Sequence, residues 1–122
     1  MRALALTLSV LAAPLAAQDA YSEADIAEIA AEAGLAAAPL MLAGDVDYGE
    51  YLSGNCTSCH QTSGANDGIP GIVGWDAVFF KLAMHEYKQK RRDNAVMQLV
   101  AGSLGDEEIA ALAAYFETLP NE

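Results

Sequence analysis

Cys56-Thr57-Ser58-Cys59-His60 carries more structural information than any other segment of this 122-residue chain. Its pattern, C-x-x-C-H, is the attachment signature of a c-type haem. Two thiols at this spacing can both reach the vinyl groups on one edge of a porphyrin and form thioethers. The histidine that follows then lies under the ring, where an imidazole nitrogen can ligate the iron. The motif therefore predicts one covalent haem c attached at Cys56 and Cys59, with His60 as an axial ligand.

The pair of cysteines also has two simpler interpretations. In an oxidising compartment, two cysteines are read by default as one disulfide. A thioredoxin-like redox pair is the other, but it expects a βαβ context, and no strand-patterned run lies beside Cys56. Haem attachment is favoured because His60 follows Cys59 directly, and a haem-free thiol or disulfide protein is the alternative.

The N-terminus has the layout of a secretory signal. Met1 and Arg2 precede an apolar run from Ala3 to Ala13, and small residues follow before Gln18. We therefore predict a signal peptide at residues 1–17 and a periplasmic mature protein. The apolar run is short for a bilayer span and no later segment is apolar for long enough, so the processed chain is not expected to span a membrane.

The chain is strongly acidic, with a formal net charge of −11 that becomes −12 once Arg2 leaves with the signal peptide. Acids are spread along the chain, which argues against nucleic-acid binding. The five remaining bases, in contrast, are clustered within twelve residues: Lys81, Lys88, Lys90, Arg91 and Arg92. Arg92 is a candidate partner for a haem propionate. The alternatives for the cluster are a solvated helix end and a docking patch for an acidic protein.

Helical periodicity predicts an all-α protein. Residues 18–44 form an alanine-rich acidic extension, in which Ser22 and Asp25 resemble a capping box, Gly34 ends the helix, and Pro39 breaks the chain. Residues 45–122 form the main domain. Its predicted elements are helices at 47–53, 75–91 and 106–119, a loop over 61–74, and a short turn capped by Asn94 and ending at Gly102.

Four residues of the mature chain are candidates for the second axial position. Met41 lies in the extension, and Met84 lies in mid-helix, where methionine usually fills the core. His85 is expected at the surface, but it remains an alternative that would give bis-histidine ligation. Met97 lies in a short segment between two helices, from which a thioether can be aimed at an iron. We therefore predict Met97 as the ligand, and a methionine in this position raises the reduction potential relative to a second histidine.

Five segments in a fixed order resemble the class I cytochromes c. The resemblance covers residues 45–119, and it is most similar to the cytochrome subunit of flavocytochrome c sulfide dehydrogenase and its single-haem relatives. The segments are Tyr48-Gly49-Glu50-Tyr51-Leu52, the C-x-x-C-H motif, Ile69-Pro70-Gly71-Ile72, Arg92-Asp93-Asn94-Ala95-Val96-Met97, and the run from Asp106 to Phe116.

The resemblance implies roles for individual residues. Gly49 would let the first helix of the domain cross closely over the last one, the carbonyl of Pro70 would accept a hydrogen bond from His60, and Met97 would be the distal ligand. The implied fold is the class I cytochrome c fold, with helices and loops wrapped around one haem.

The implied function is periplasmic electron transfer, as a carrier or as the cytochrome subunit of a dehydrogenase that oxidises a sulfur compound. The expected partners are a flavoprotein or other periplasmic dehydrogenase, and a terminal oxidase or further cytochrome. The chain alone is not expected to be an enzyme. The alternative is a ligand-binding or peroxidase-like haem protein in which Met97 is not bound to iron.

Overall fold

Helices and connecting loops, without strands, make up the residues that the computed structural model describes, 21–66 and 68–120. The all-α prediction is therefore confirmed, while the predicted signal peptide at residues 1–17 lies outside the described residues. The helices are α1 (Glu23–Ala33), α2 (Ala37–Met41), α3 (Val46–Leu52), α4 (Gly54–Thr57), α5 (Ala77–Lys88), α6 (Ala95–Gly102) and α7 (Asp106–Thr118).

The crossing of α3 over α7 sets the position of the cysteine motif. Gly49 is buried at this crossing, and a Cβ built there would overlap the carbonyl oxygen of Ala111 and lie 2.7 Å from Tyr115 Cβ. Glycine is needed because the two helix backbones approach too closely for any side chain. The helical backbone of Ser53 (φ −63°, ψ −21°) then continues α3 into α4, which carries Cys56.

The main core lies between α5, α6 and α7. Phe116, Ile109 and Leu112 of α7 are each at most 1% exposed, and the ring of Phe80 in α5 stacks on that of Phe116 at 5.7 Å. Burying a side chain of this size contributes about 1.5–3 kcal/mol. This core fixes the position of α5 relative to α6, and Cys56 of the cysteine motif packs in the same cluster.

Helix α5 is shorter than the predicted range of 75–91. It begins at Ala77 because the carboxylate of Asp76 caps it, accepting from the amides of Val78 and Phe79 at 2.9 and 3.2 Å. It ends at Lys88, and Lys90 then has a left-handed backbone with φ of 58°. Periodicity alone missed both ends, since apolar spacing continues past a cap that local hydrogen bonds decide.

The N-terminal extension contains two helices, one of which was not predicted. The capping box of Ser22 and Asp25 is confirmed at the start of α1, and Gly34 ends that helix with φ of 69°. Pro39, however, lies inside α2 and does not break it. As the third residue of the helix, it occupies the first turn, where the missing N–H costs no helical hydrogen bond.

The extension packs on the outer side of α5. A second cluster of buried residues joins Ile26, Ala30, Leu35 and Leu40 with Val78 and Leu82 of α5. Two basic side chains also hydrogen-bond to backbone carbonyls of the extension. Arg91 donates to the carbonyl of Ala33 at 3.2 Å, and Lys81 donates to that of Leu42 at 2.9 Å. These contacts mean that the described part of the extension contributes to the stability of the folded protein through its packing on α5.

Leu40→Ala should destabilise the folded protein by about 2–5 kcal/mol, because the side chain is fully buried in this second cluster. The measurement is urea unfolding followed by far-UV circular dichroism. The matched control is Leu99→Ala, since Leu99 is 76% exposed and should change the free energy of unfolding by less than about 0.5 kcal/mol. Equal effects of the two variants would show that the extension does not pack on α5 in solution.

Candidate haem-binding site

One cavity of about 400 Å³ collects the residues that the sequence singled out. Cys56, Cys59, His60 and Met97 all line it, and they come from two separate parts of the chain. Gly68, Ile69, Pro70 and Ile72 form a further part of its wall. The fold thus brings two thiols, an imidazole and a thioether to one space.

The ring of His60 is oriented by a backbone carbonyl. Its Nδ1 lies 2.6 Å from the carbonyl oxygen of Pro70, and the residue is 9% exposed. A carbonyl can only accept a hydrogen bond, so Nδ1 must be the donor. The lone pair of the neutral imidazole is then on Nε2, so this nitrogen can ligate a metal while the carbonyl holds the other ring N–H, as is usual for metal-ligating histidines.

Met97 is positioned by the start of α6. The side chain of Asn94 caps this helix, and its Oδ1 accepts from the amide of Met97 at 3.0 Å. The cap predicted from the sequence is therefore confirmed. Asn94 also lines the cavity, so the residue that begins the helix is part of the same wall as the thioether.

The wall contributed by α5 is largely apolar and was underestimated by sequence reasoning. Phe80, Ala83, Met84 and Tyr87 line the cavity, and Met84 is 5% exposed. Their spacing of three, four and seven residues places them on one helical face, a signal that the sequence did contain. Two methionines, Met84 and Met97, therefore lie at the same cavity.

Arg92 and Trp75 lie at the cavity as well. The guanidinium of Arg92 is 5.5 Å from the centre of the Tyr87 ring, a cation–π distance, and Arg92 is exposed. Trp75, which is 36% exposed, lines the cavity wall. Both side chains thus lie where the cavity meets the surface.

The two thiols have different surroundings. Cys56 is buried at 9% exposure and Cys59 is exposed, and no disulfide joins them. Burial raises the pKa of the Cys56 thiol above its ordinary value. Cys56 is thus held as an uncharged thiol facing an apolar space, in contrast to a thiol activated as a nucleophile.

His85 is buried, contrary to the surface position expected from its sequence context. It is 4% exposed and does not line the cavity, because it lies on another face of α5. Its Nδ1 is 4.0 Å from a carboxylate oxygen of Asp106, and its Nε2 has no hydrogen-bond partner among the described residues. The contact with the start of α7 explains the burial, and no local pattern signals it.

Stability should fall as the pH drops below about 6.5, because His85 titrates differently in the folded and unfolded states. Burial lowers its pKa below the ordinary value of 6.5, while Asp106 raises it and the positive charges of Lys88 and Lys81 lower it. The unfolded chain therefore takes up a proton at a pH where the folded protein does not. Urea midpoints at about pH 7 and pH 5.5 should differ less for His85→Gln than for the wild type. An unchanged difference would remove His85 as the cause.

The residues present fit a covalently attached haem. The donor set consists of two thiols, one imidazole of fixed tautomer and a thioether, and large apolar side chains line the space between them. Among the described residues, no group of three or more His, Cys, Asp and Glu side chains could hold a metal ion by itself. Within that part of the chain, no helix is long and apolar enough to cross a membrane.

Comparison with known proteins agrees with this geometry. The family model described as "Cytochrome c" matches residues 46–120. The chain is 34% identical over 68 residues to a "Thiosulfate dehydrogenase electron acceptor" of Stutzerimonas stutzeri (strain A1501), covering 53% of this chain and 32% of that protein. It is 33% identical over 81 residues to "Cytochrome c-554(548)" of Halomonas halodenitrificans, covering 62% of this chain and 98% of the relative.

A third relative is longer than this chain. "Cytochrome c4" of Pseudomonas aeruginosa is 29% identical over 116 residues, a match that covers 80% of this chain and 58% of that protein. The chain thus spans about a third of the thiosulfate dehydrogenase electron acceptor, nearly all of cytochrome c-554(548) and little more than half of cytochrome c4.

Proposed function

Given that this chain belongs to the cytochrome c family and so transfers electrons through a covalently bound haem c, we propose that it is a periplasmic carrier of single electrons with His60 and Met97 as the axial ligands. Cys56 and Cys59 provide the thioether links. The proposed organisation is a signal peptide at 1–17, an N-terminal extension at 18–44 and the cytochrome domain at 45–122.

The observation that carries this proposal is the shared cavity of His60 and Met97. His60 follows α4, and Met97 lies in the first turn of α6. The two proposed ligands therefore come from different helices, each with its own place in the fold. When bound, the haem supplies a one-electron ferric/ferrous couple. The chain itself orients the imidazole through the carbonyl of Pro70, and Asn94 fixes the backbone from which the Met97 thioether projects. Ligands held in this way need little movement when the charge at the site changes.

The same residues support a carrier in preference to an enzyme. With His60 and Met97 as the two iron ligands, no position would remain for peroxide or a small ligand. Phe80, Met84 and Ile72 contribute apolar side chains to the wall of the site, which disfavours polar reactants there. Arg92, at the rim of the cavity, would pair with a haem propionate and offset the cost of partly burying that carboxylate.

A dehydrogenase acting on a sulfur compound is the proposed electron donor. The relative named as an electron acceptor of thiosulfate dehydrogenase supports this choice, as does the resemblance to cytochrome subunits of sulfide dehydrogenases. The donor would be a flavoprotein or another periplasmic dehydrogenase. A terminal oxidase or a further cytochrome would accept the electron.

Optical spectra of the purified, exported protein test the proposal. A pyridine haemochrome of c type is expected, and the ferric protein should show low-spin bands together with the weak near-infrared band of a sulfur–iron bond. Carbon monoxide should leave the ferrous spectrum unchanged. A high-spin ferric spectrum, or rapid binding of carbon monoxide, would instead establish the ligand-binding or peroxidase-like alternative.

A further inference from the structure

We propose that the outer face of α3 and α4, centred on Tyr48 and Tyr51, is a docking surface for a redox partner protein with a positively charged surface. Tyr51 is 82% exposed and Tyr48 is 41% exposed, and their rings stack at 6.5 Å with an interplanar angle of 16°. Exposed tyrosines are enriched at protein interfaces, since a rigid ring buries a large area at a small entropic cost. This inference rests on the proposed electron-carrier function.

The tyrosine pair continues along one helical stripe to the haem cavity. Because Ser53 and Ser58 keep helical backbone angles, residues 48, 51, 55 and 59 follow at spacings of three and four and share one face. Asn55 and Cys59 of this stripe line the cavity, and both are exposed. A protein resting on the tyrosines would therefore also cover the edge of the site that carries the Cys59 attachment.

The opposite face of the same helices is fixed. Gly49 and Cys56 are buried on the inner face, and Gly49 lies against the backbone of α7 at Ala111. The tyrosines thus project from an element whose inner side cannot shift without breaking that contact. A partner would meet a surface that is already in its final position, so binding would cost little ordering.

The charges around the tyrosines define the chemistry of the partner. Residues 45–55 contain Asp45, Asp47 and Glu50, all exposed, and no lysine or arginine. The bases instead lie on α5 and just after it, where Lys88 donates to the carbonyl of Leu104 and Arg91 to that of Ala33. A cationic partner complements this face, whereas a second copy in the same orientation would be repelled.

Binding of a lysine-rich cytochrome c of the mitochondrial type, used as the cationic probe, tests the surface. The chain is labelled with ¹⁵N in its ferrous state, and amide shifts are recorded at low ionic strength as the unlabelled probe is added. The largest shifts are expected within residues 45–59, and added salt should weaken binding. Shifts centred on α6 at Val96 and Leu99, or no binding at all, would overturn the proposal.

Two pairs of variants distinguish binding at the proposed docking surface from an effect of net charge or of exposed apolar residues elsewhere. The double variant Asp47→Asn/Glu50→Gln should weaken binding of the probe by about tenfold. The control, Glu28→Gln/Glu32→Gln, removes the same charge from exposed positions of α1 and should change binding by less than about twofold. Tyr51→Ser should weaken binding of the probe by about tenfold. Leu99→Ser changes a similarly exposed position and should leave binding of the probe unchanged.

Equal effects of the two charge pairs would mean that only net charge matters, which contradicts a defined docking face. Self-association of the wild type that Tyr51→Ser abolishes would make a second copy the occupant and would also overturn the proposal. The proposed ligation is tested separately, because the near-infrared band of the ferric protein does not depend on docking. Shifts at residues 45–59 without that band would retain the docking face and reject Met97 as the ligand.

Discussion

Met97→Leu should convert the ferric protein from low spin to high spin, abolish the near-infrared sulfur–iron band and lower the reduction potential. Leucine keeps the size of the side chain but has no sulfur, so the iron loses the proposed ligand while the packing changes little. The identity of the axial ligands moves haem potentials over about 0.8 V in total, so a fall on the order of 0.1 V or more is expected. Optical spectra and redox titration measure both effects.

Met84→Leu is the matched control, because Met84 lies at the same cavity and is 5% exposed. It should leave the ferric spectrum low spin and the near-infrared band in place. The reverse result, a band lost in Met84→Leu and kept in Met97→Leu, would assign the ligand to Met84. A spectrum that stays low spin without the sulfur band in Met97→Leu would indicate that a nitrogen ligand from outside the cavity wall takes the position, since His85 does not line this cavity.

Gly49→Ala should prevent stable folding or reduce the free energy of unfolding by at least about 3 kcal/mol, since overpacking at a rigid contact is costly. The added Cβ would lie 2.7 Å from both the carbonyl carbon of Ala111 and Tyr115 Cβ. Neither the α7 backbone nor the start of a side chain can move aside without separating the two helices. Because α4 follows α3 directly, haem attachment should fail as well, which lowers the yield of c-type haemochrome in exported protein.

Gly54→Ala provides the control at a second helical glycine five residues later. A Cβ at Gly54 would meet no atom within 4 Å. Alanine is the better helix former by about 0.8–1 kcal/mol, so Gly54→Ala should be neutral or stabilising. Urea unfolding and the haemochrome yield compare the two variants. Similar behaviour of both would show that the α3–α7 crossing is looser than the structure indicates.

Local signals in the sequence predicted the longer helices and one half of the site, while the short helices α2 and α4 were not predicted. The capping box at Ser22, the cap at Asn94 and the acidic start of the last helix each act within a few residues, so their effect can be read without knowing the fold. The cysteine motif is local in the same sense. Its thiols and His60 lie within five residues, and a single helical turn sets their spacing.

Errors arose where the start of a helix or a distant segment decides the outcome. Pro39 was expected to break the chain, yet its place in the first turn of α2 makes it compatible with the helix. His85 was expected at the surface, yet the start of α7 covers it. Neither outcome is visible in local periodicity, because the deciding neighbours lie more than a few residues away or depend on where a helix begins.

Residue types at short spacing were enough to predict the cofactor, the all-α class and the candidate ligands. The packing of distant segments, in contrast, establishes which apolar face of α5 forms the cavity wall and that Met84 and Met97 share that cavity. It also establishes that the extension packs on the outer side of α5, with hydrogen bonds from Arg91 and Lys81. Such contacts join residues tens of positions apart. They depend on the summed burial and backbone hydrogen bonds of the whole fold, which no short segment encodes.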